Sequence, residues 1–87
     1  MTIENSDAVE DVLQKIVARV LRKEDLCLDR DASFKQVGAD SLDVVQIMVA
    51  IEEALDIELV DNELKSITNM GGFIDYLKRK VVERDKN

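Results

Sequence analysis

Few side chains in this sequence can do chemistry. One serine stands in the run Gly38-Ala39-Asp40-Ser41-Leu42-Asp43, between two carboxylates. There is no histidine, and Cys27 is the only cysteine. Without an imidazole, Ser41 lacks the usual general base that would make it an enzyme nucleophile. Asp40 or Asp43 alone is a poor base for a serine hydroxyl. No catalytic residue is therefore expected in this chain. A serine hydroxyl can instead be modified by another enzyme. If the product is a phosphodiester, its charge falls at a helix start, where backbone amides and the helix dipole favour an anion. The neighbouring carboxylates oppose that benefit in part. A plainer role for Ser41 is that of an ordinary first-turn helix residue.

Metal and redox chemistry find little support. A lone cysteine allows no intramolecular disulfide and no multi-cysteine metal site, which fits a reducing cytosol. Cys27 reads as a small apolar loop residue. Asp29, Asp31 and Ser33 faintly resemble the opening of a calcium loop. Phe34, however, stands where that loop needs glycine, and Asp40 where it ends in glutamate. No metal site is expected.

The elements that must position Ser41 are helical. Pro is absent, while Leu, Ile, Val, Glu, Lys and Asp abound, which favours helix over strand and turn. Val9, Val12, Leu13, Ile16, Val17 and Val20 recur at helical spacing and predict an amphipathic helix over Asp7–Lys23. Asp7 with Glu10 would form its capping box, and Arg19, Arg22 and Lys23 would complement its dipole. A long loop is expected over Glu24–Ala39, anchored to the core by Phe34 and Val37. Asp40 should cap a second helix over Ser41–Leu55, with Asp43 in its first turn. Asp61 should cap a short helix to about Ser66. A last helix is expected over Met70–Val82, capped by Thr68 or Asn69, with Phe73, Ile74, Leu77 and Val81 inward. Gly71 and Gly72 should weaken its first turn by about 1 kcal/mol each relative to Ala. The tail, Glu83–Asn87, is expected to fray. The fold class is thus all-α. It is a four-helix bundle of three main helices and one short one, with a long loop between helices 1 and 2, in one domain over residues 1–87.

The second helix has one apolar face too many. At 100° per residue, Val44, Ile47, Met48, Ile51 and Leu55 cluster within roughly 80° of each other. Leu42, Val45 and Val49 make a second stripe almost opposite, with Glu52, Glu53 and Asp56 around it. Either the long loop or the short helix covers that stripe, or it stays exposed as a docking strip with an acidic rim. Charge favours docking. Between Gln36 and Leu64 lie eight acids and no base, and the chain carries −7 overall. Nucleic acid and anionic membranes are poor partners for such a surface, and basic protein surfaces are good ones. An N-terminus without a long apolar run gives no sign of a signal peptide or membrane span.

The run Gly38-Ala39-Asp40-Ser41-Leu42-Asp43, the helix that follows it through Ile51-Glu52-Glu53, and Asp56-Ile57-Glu58 resemble the acyl carrier proteins of bacterial type-II fatty acid synthesis. Ile67-Thr68 and Ile74-Asp75-Tyr76-Leu77 resemble that family's last helix. The likeness spans about Asp7 to Val82. It implies a 4′-phosphopantetheine arm on Ser41, attached from coenzyme A by a phosphopantetheinyl transferase, with Asp40 orienting the attachment site. It implies that Leu42, Asp43, Val45, Val49, Glu52, Glu53 and Asp56 contact acyl-processing enzymes with basic docking surfaces. A bundle that shelters an acyl chain, a cytoplasmic monomer and no enzymatic activity are also implied. The sequence departs from the family in Gln46, where an acid is common, in Val60, where proline is common, and in Gly71-Gly72 and a basic tail. A carrier specialised for a separate pathway would fit these departures. A polyketide or aminoacyl carrier would share the arm, and an unmodified helical adaptor would lack it.

Overall fold

In the computed structural model, which describes residues 5–24, 26 and 28–86, helices α1 (Asn5–Leu21), α3 (Ser41–Leu55) and α5 (Met70–Asp85) form the frame. Two single-turn helices, α2 (Phe34–Val37) and α4 (Asp61–Leu64), sit in the connections. No strand occurs among the described residues. The expected all-helical architecture is present, with α2 as an addition. Helix α1 packs against both α3 and α5. The core is built where the apolar periodicity put it: Val9, Leu13, Ile16 and Val17 from α1, Ile47, Ile51 and Leu55 from α3, and Phe73, Ile74, Leu77 and Val81 from α5. Met70 and Tyr76 join them. The reading of Cys27 falls outside the described residues.

Local chemistry moves several boundaries. Helix α1 already includes Asn5, so Asp7 lies inside it and is not its cap. It stops at Leu21, before the expected Lys23. Arg22 turns left-handed (φ 59°) and the Lys23 amide reaches back to the Ala18 carbonyl at 2.9 Å, a Schellman-type stop. The expected long loop contains α2. There the Ser33 hydroxyl accepts from the Gln36 amide while the Gln36 side chain accepts from the Ser33 amide, a capping box strong enough to nucleate one turn. Gly38 closes that turn at φ 107°, a conformation that strains other residues. Phe34 then meets Phe73 edge to face, with centroids 5.3 Å apart.

Helix α4 begins at Asp61, and its cap position is Val60, which offers no side-chain bond. Asp61 is therefore the first helical residue and not the cap, and the helix ends at Leu64, short of Ser66. Helix α5 continues through Asp85, where fraying was expected after Val82. The guanidinium of Arg84 donates to the Leu55 carbonyl and also pairs with Asp85, which ties the extra turn to the end of α3.

The long loop is stitched to the start of α5. The amides of Met70 and Gly71 donate to the carbonyls of Ala32 and Arg30, both at 2.8 Å. Asn69 caps the same turn through the Gly72 amide. These are the orphan donors of a helix start, and all three are used. The close backbone approach explains Gly71. A Cβ there would lie 3.1 Å from the Arg30 Cβ, Nε and carbonyl oxygen. At Gly72 the nearest atom is the Asn69 side-chain oxygen, at 3.3 Å. Arg30 further clamps the Asp75 carboxylate, with both oxygens at 3.1 Å.

The two glycines should therefore respond differently to alanine. Gly71→Ala is expected to lose about 1–2 kcal/mol, because overpacking outweighs the gain in helix propensity. Gly72→Ala should stay within about 0.5 kcal/mol of wild type. Thermal unfolding of the two variants checks this, and equal shifts would refute the packing account of Gly71.

Candidate functional site

Ser41 opens α3, and its position follows from a reciprocal cap. The Asp40 carboxylate accepts from the Asp43 amide at 2.9 Å, and the Asp43 carboxylate accepts from the Asp40 amide at 3.2 Å. Both acids thus face the backbone and leave the Ser41 hydroxyl alone. Ser41 is exposed and makes no side-chain hydrogen bond. A surface hollow of about 690 Å³ surrounds it, lined by Phe34, Lys35, Gly38, Ala39, Asp40 and Val44. The buried Ala39 leads into the turn. A free hydroxyl at the rim of an open hollow, on a rigid helix start, is a good acceptor for a bulky group. The first-turn amides would face the first phosphate of such a group.

The second apolar stripe of α3 remains outside. Leu42 is 66% exposed, Val45 58% and Val49 49%. Neither the loop nor α4 covers it. Glu53 and Asp56 are exposed beside it. Asp56 also ends α3 in the left-handed conformation, φ 54°, with its amide on the Glu52 carbonyl. Asp43 and Glu52 are half-buried and have internal duties: Asp43 caps the helix, and Glu52 accepts from the Leu59 amide at 2.9 Å. Sequence periodicity placed Glu52 on the rim but held no sign of this bond, which depends on how the chain folds back after Asp56.

Val45, Val49 and Glu52 also border a second cavity. This open cleft of about 650 Å³ lies between α3 and α4, with Phe34 and Phe73 among its walls and Leu59, Leu64 and Ile67 on its far side. Its walls are mainly apolar, so it suits an aliphatic chain better than a polar ligand. One turn of helix has no stability of its own, so α4 needs clips to hold the far wall. One is Glu52 on Leu59. The other is Tyr76, whose hydroxyl donates to Glu63 at 2.6 Å and accepts from the Val60 amide at 3.1 Å. Lys80 lies 3.8 Å from the same carboxylate. The Tyr76 hydrogen bond, with Lys80 and Arg79 nearby, holds the Glu63 carboxyl below its ordinary value of 4.5. Burial, and then the bond to Glu63, pushes the Tyr76 phenol up. Tyr76 was placed in the last helix by sequence, but its role as a strut for α4 was not visible there.

Known proteins match this chain over most of its length. A family described as "Phosphopantetheine attachment site" matches residues 11–77. An acyl carrier protein of Guillardia theta is 35% identical over 78 residues, covering 88% of this chain and 96% of that one. The solution structure of a holo acyl carrier protein from Geobacter metallireducens superposes with a TM-score of 0.81 at 24% identity, over 88% of this chain and 90% of that one.

Two variants test the clips. Tyr76→Phe leaves the Val60 amide and Glu63 without their partner and should cost about 1 kcal/mol, or roughly 4–8 °C in Tm. A carboxyl held low in the folded state stabilises it above the ordinary value and stops doing so as pH falls through the lowered one. Wild type should therefore lose stability on acidification below 4.5 more steeply than Tyr76→Phe, as urea unfolding against pH would show. In Glu52→Ala the Leu59 amide should exchange with solvent roughly 5-fold faster, read by NMR. Unchanged exchange would remove Glu52 as a clip.

Proposed function

Because the chain belongs to the acyl carrier protein family, we propose that Ser41 is the residue that bears its prosthetic arm and that the outer strip of α3 is where partner enzymes dock. The protein is a carrier and not an enzyme, and its prosthetic group is 4′-phosphopantetheine. When bound, that group supplies a thiol on which acyl chains are held as thioesters. The exposed, unbonded hydroxyl of Ser41 at the start of α3 carries the assignment. Asp40 holds that start in place through its cap. Loading joins the Ser41 oxygen to the pantetheine-bearing phosphorus of coenzyme A, breaks that phosphorus's bond to the bridging pyrophosphate oxygen and releases 3′,5′-ADP. The hydroxyl proton passes to a base of a phosphopantetheinyl transferase, because among the described residues none bonds to the hydroxyl.

Leu42, Val45 and Val49 supply contact area, and Glu53 and Asp56 with Asp43 and Glu52 supply the negative rim. Acyl-processing enzymes of fatty acid or related lipid synthesis, with basic surfaces, are the partners this strip suits. The cleft between α3 and α4 shelters the acyl chain between visits, and the long arm keeps the cargo at high local concentration near a docked enzyme. Gln46 thins the acidic rim at one point, which favours a restricted partner set. A cytoplasmic monomer accords with the lone cysteine and with the like charge that keeps copies apart. No helix among the described residues is long and apolar enough to cross a membrane.

Incubation with coenzyme A, a divalent cation and a broad-specificity transferase should add one phosphopantetheinyl unit to wild type and none to Ser41→Ala, read by intact mass. Equal labelling of both, or of neither, would overturn the assignment of Ser41.

A further inference from the structure

The hollow around Ser41 has one cation on its wall, Lys35, in a part of the surface otherwise held by acids. Lys35 is exposed, and its ammonium makes neither a hydrogen bond nor an ion pair among the described residues. The other basic side chains around the bundle are more often engaged: Lys15 with Asp11, Arg30 with Asp75, Lys78 with Glu10, Lys80 with Glu63 and Arg84 with Asp85. Lys35 is also the last base before the long acidic run that begins after Gln36. Lys23 approaches the same turn from just beyond the end of α1. Its ammonium donates to the Val37 carbonyl at 3.0 Å and lies 3.1 Å from where a Gly38 Cβ would be. Gly38 shares the hollow with Ser41.

We propose that Lys35, with Lys23 behind it, forms a cationic seat for the phosphodiester that joins the arm to Ser41. This rests on Ser41 bearing the arm. A phosphodiester there brings a permanent negative charge next to Asp40 and Asp43, whose carboxylates repel it. The first-turn amides offset only part of this, because the Asp40 and Asp43 amides are already taken by the reciprocal cap. Lys35 supplies the missing positive charge from the lining of the same hollow, on a side chain long enough to follow the group. The ammonium is a compact charge on a flexible stem, so it biases the root of the arm toward α2 without locking it. Lys35 is thus a positioning residue: it sets the direction in which the arm leaves the bundle and takes no part in acyl chemistry.

The test compares apo and holo protein, with loading on the Ser41 peptide verified by mass spectrometry. Lysines are trace-labelled by reductive methylation at low salt, and labelling is quantified peptide by peptide, with Lys15 and Lys86 as internal references. Lys35 should label about twofold more slowly in the holo form, the size expected of an exposed ion pair, and the protection should vanish at high salt. The ³¹P resonance of the phosphodiester should move with salt similarly in wild type and in Lys35→Arg, and clearly differently in Lys35→Gln. An exposed, unpartnered side chain can be replaced without loss of folding, and matching circular dichroism spectra would show this. Loaded protein with equal Lys35 labelling in both forms, and a ³¹P response that ignores Lys35→Gln, would overturn the seat and leave the attachment intact. Failure to load Ser41 would overturn both.

Discussion

A chain of this size can bury one face of each helix, and α3 carries apolar residues on two. The core takes Ile47, Ile51 and Leu55, and Leu42, Val45 and Val49 are left in water. Burying such a side chain is worth about 1.5–3 kcal/mol. Forgoing three of these is a large concession for a domain whose whole stability is on the order of 5–15 kcal/mol. The same strip would drive copies of the chain together were it not fringed by acids. A net charge of −7, concentrated along this stretch, opposes self-association while admitting a partner of opposite sign. An exposed apolar strip with a charged fringe is suited to contact in which apolar area supplies energy and charge selects the partner.

The cleft beside that strip is held by a different principle. Helix α4 is a single turn with no side-chain cap, so its place depends on Glu52 and Tyr76 reaching it from the longer helices. Few contacts and a handful of partly buried hydrogen bonds put this wall at the low-stability end of the bundle. A wall that opens more easily than the core is suited to a cargo that must come and go. Because Val45, Val49 and Glu52 belong to both the strip and the cleft, a molecule that presses on the strip also touches the cleft wall.

What could be read from sequence was what depends on neighbours along the chain. The span of α3 and its Asp40 cap, the inward faces of all three long helices, and the surplus stripe on α3 follow from periodicity and capping chemistry alone. Errors arose where the third dimension decides. Helix α5 outran its expected end because Arg84 finds a carbonyl on α3, and Gly71 is required by a loop that is distant in sequence. Helix α2 is a different case. Ser33 and Gln36 form a capping box visible in the sequence, but four residues with little periodicity resemble a loop. The bonds of Glu52 to Leu59 and of Tyr76 to Val60 were hidden because each joins residues whose approach is set by the packed core.

The same cap that fixes Ser41 also leaves its hydroxyl unactivated. Each aspartate beside the hydroxyl is turned to a backbone amide, and neither bonds to the hydroxyl. With no histidine in the chain, a proton leaving Ser41 has no imidazole to accept it. An enzyme nucleophile must be both accessible and activated, whereas the substrate of a modifying enzyme need only be accessible. Ser41 meets the second condition and fails the first. The helix start presents the oxygen in one place, and the open hollow leaves it within reach from outside.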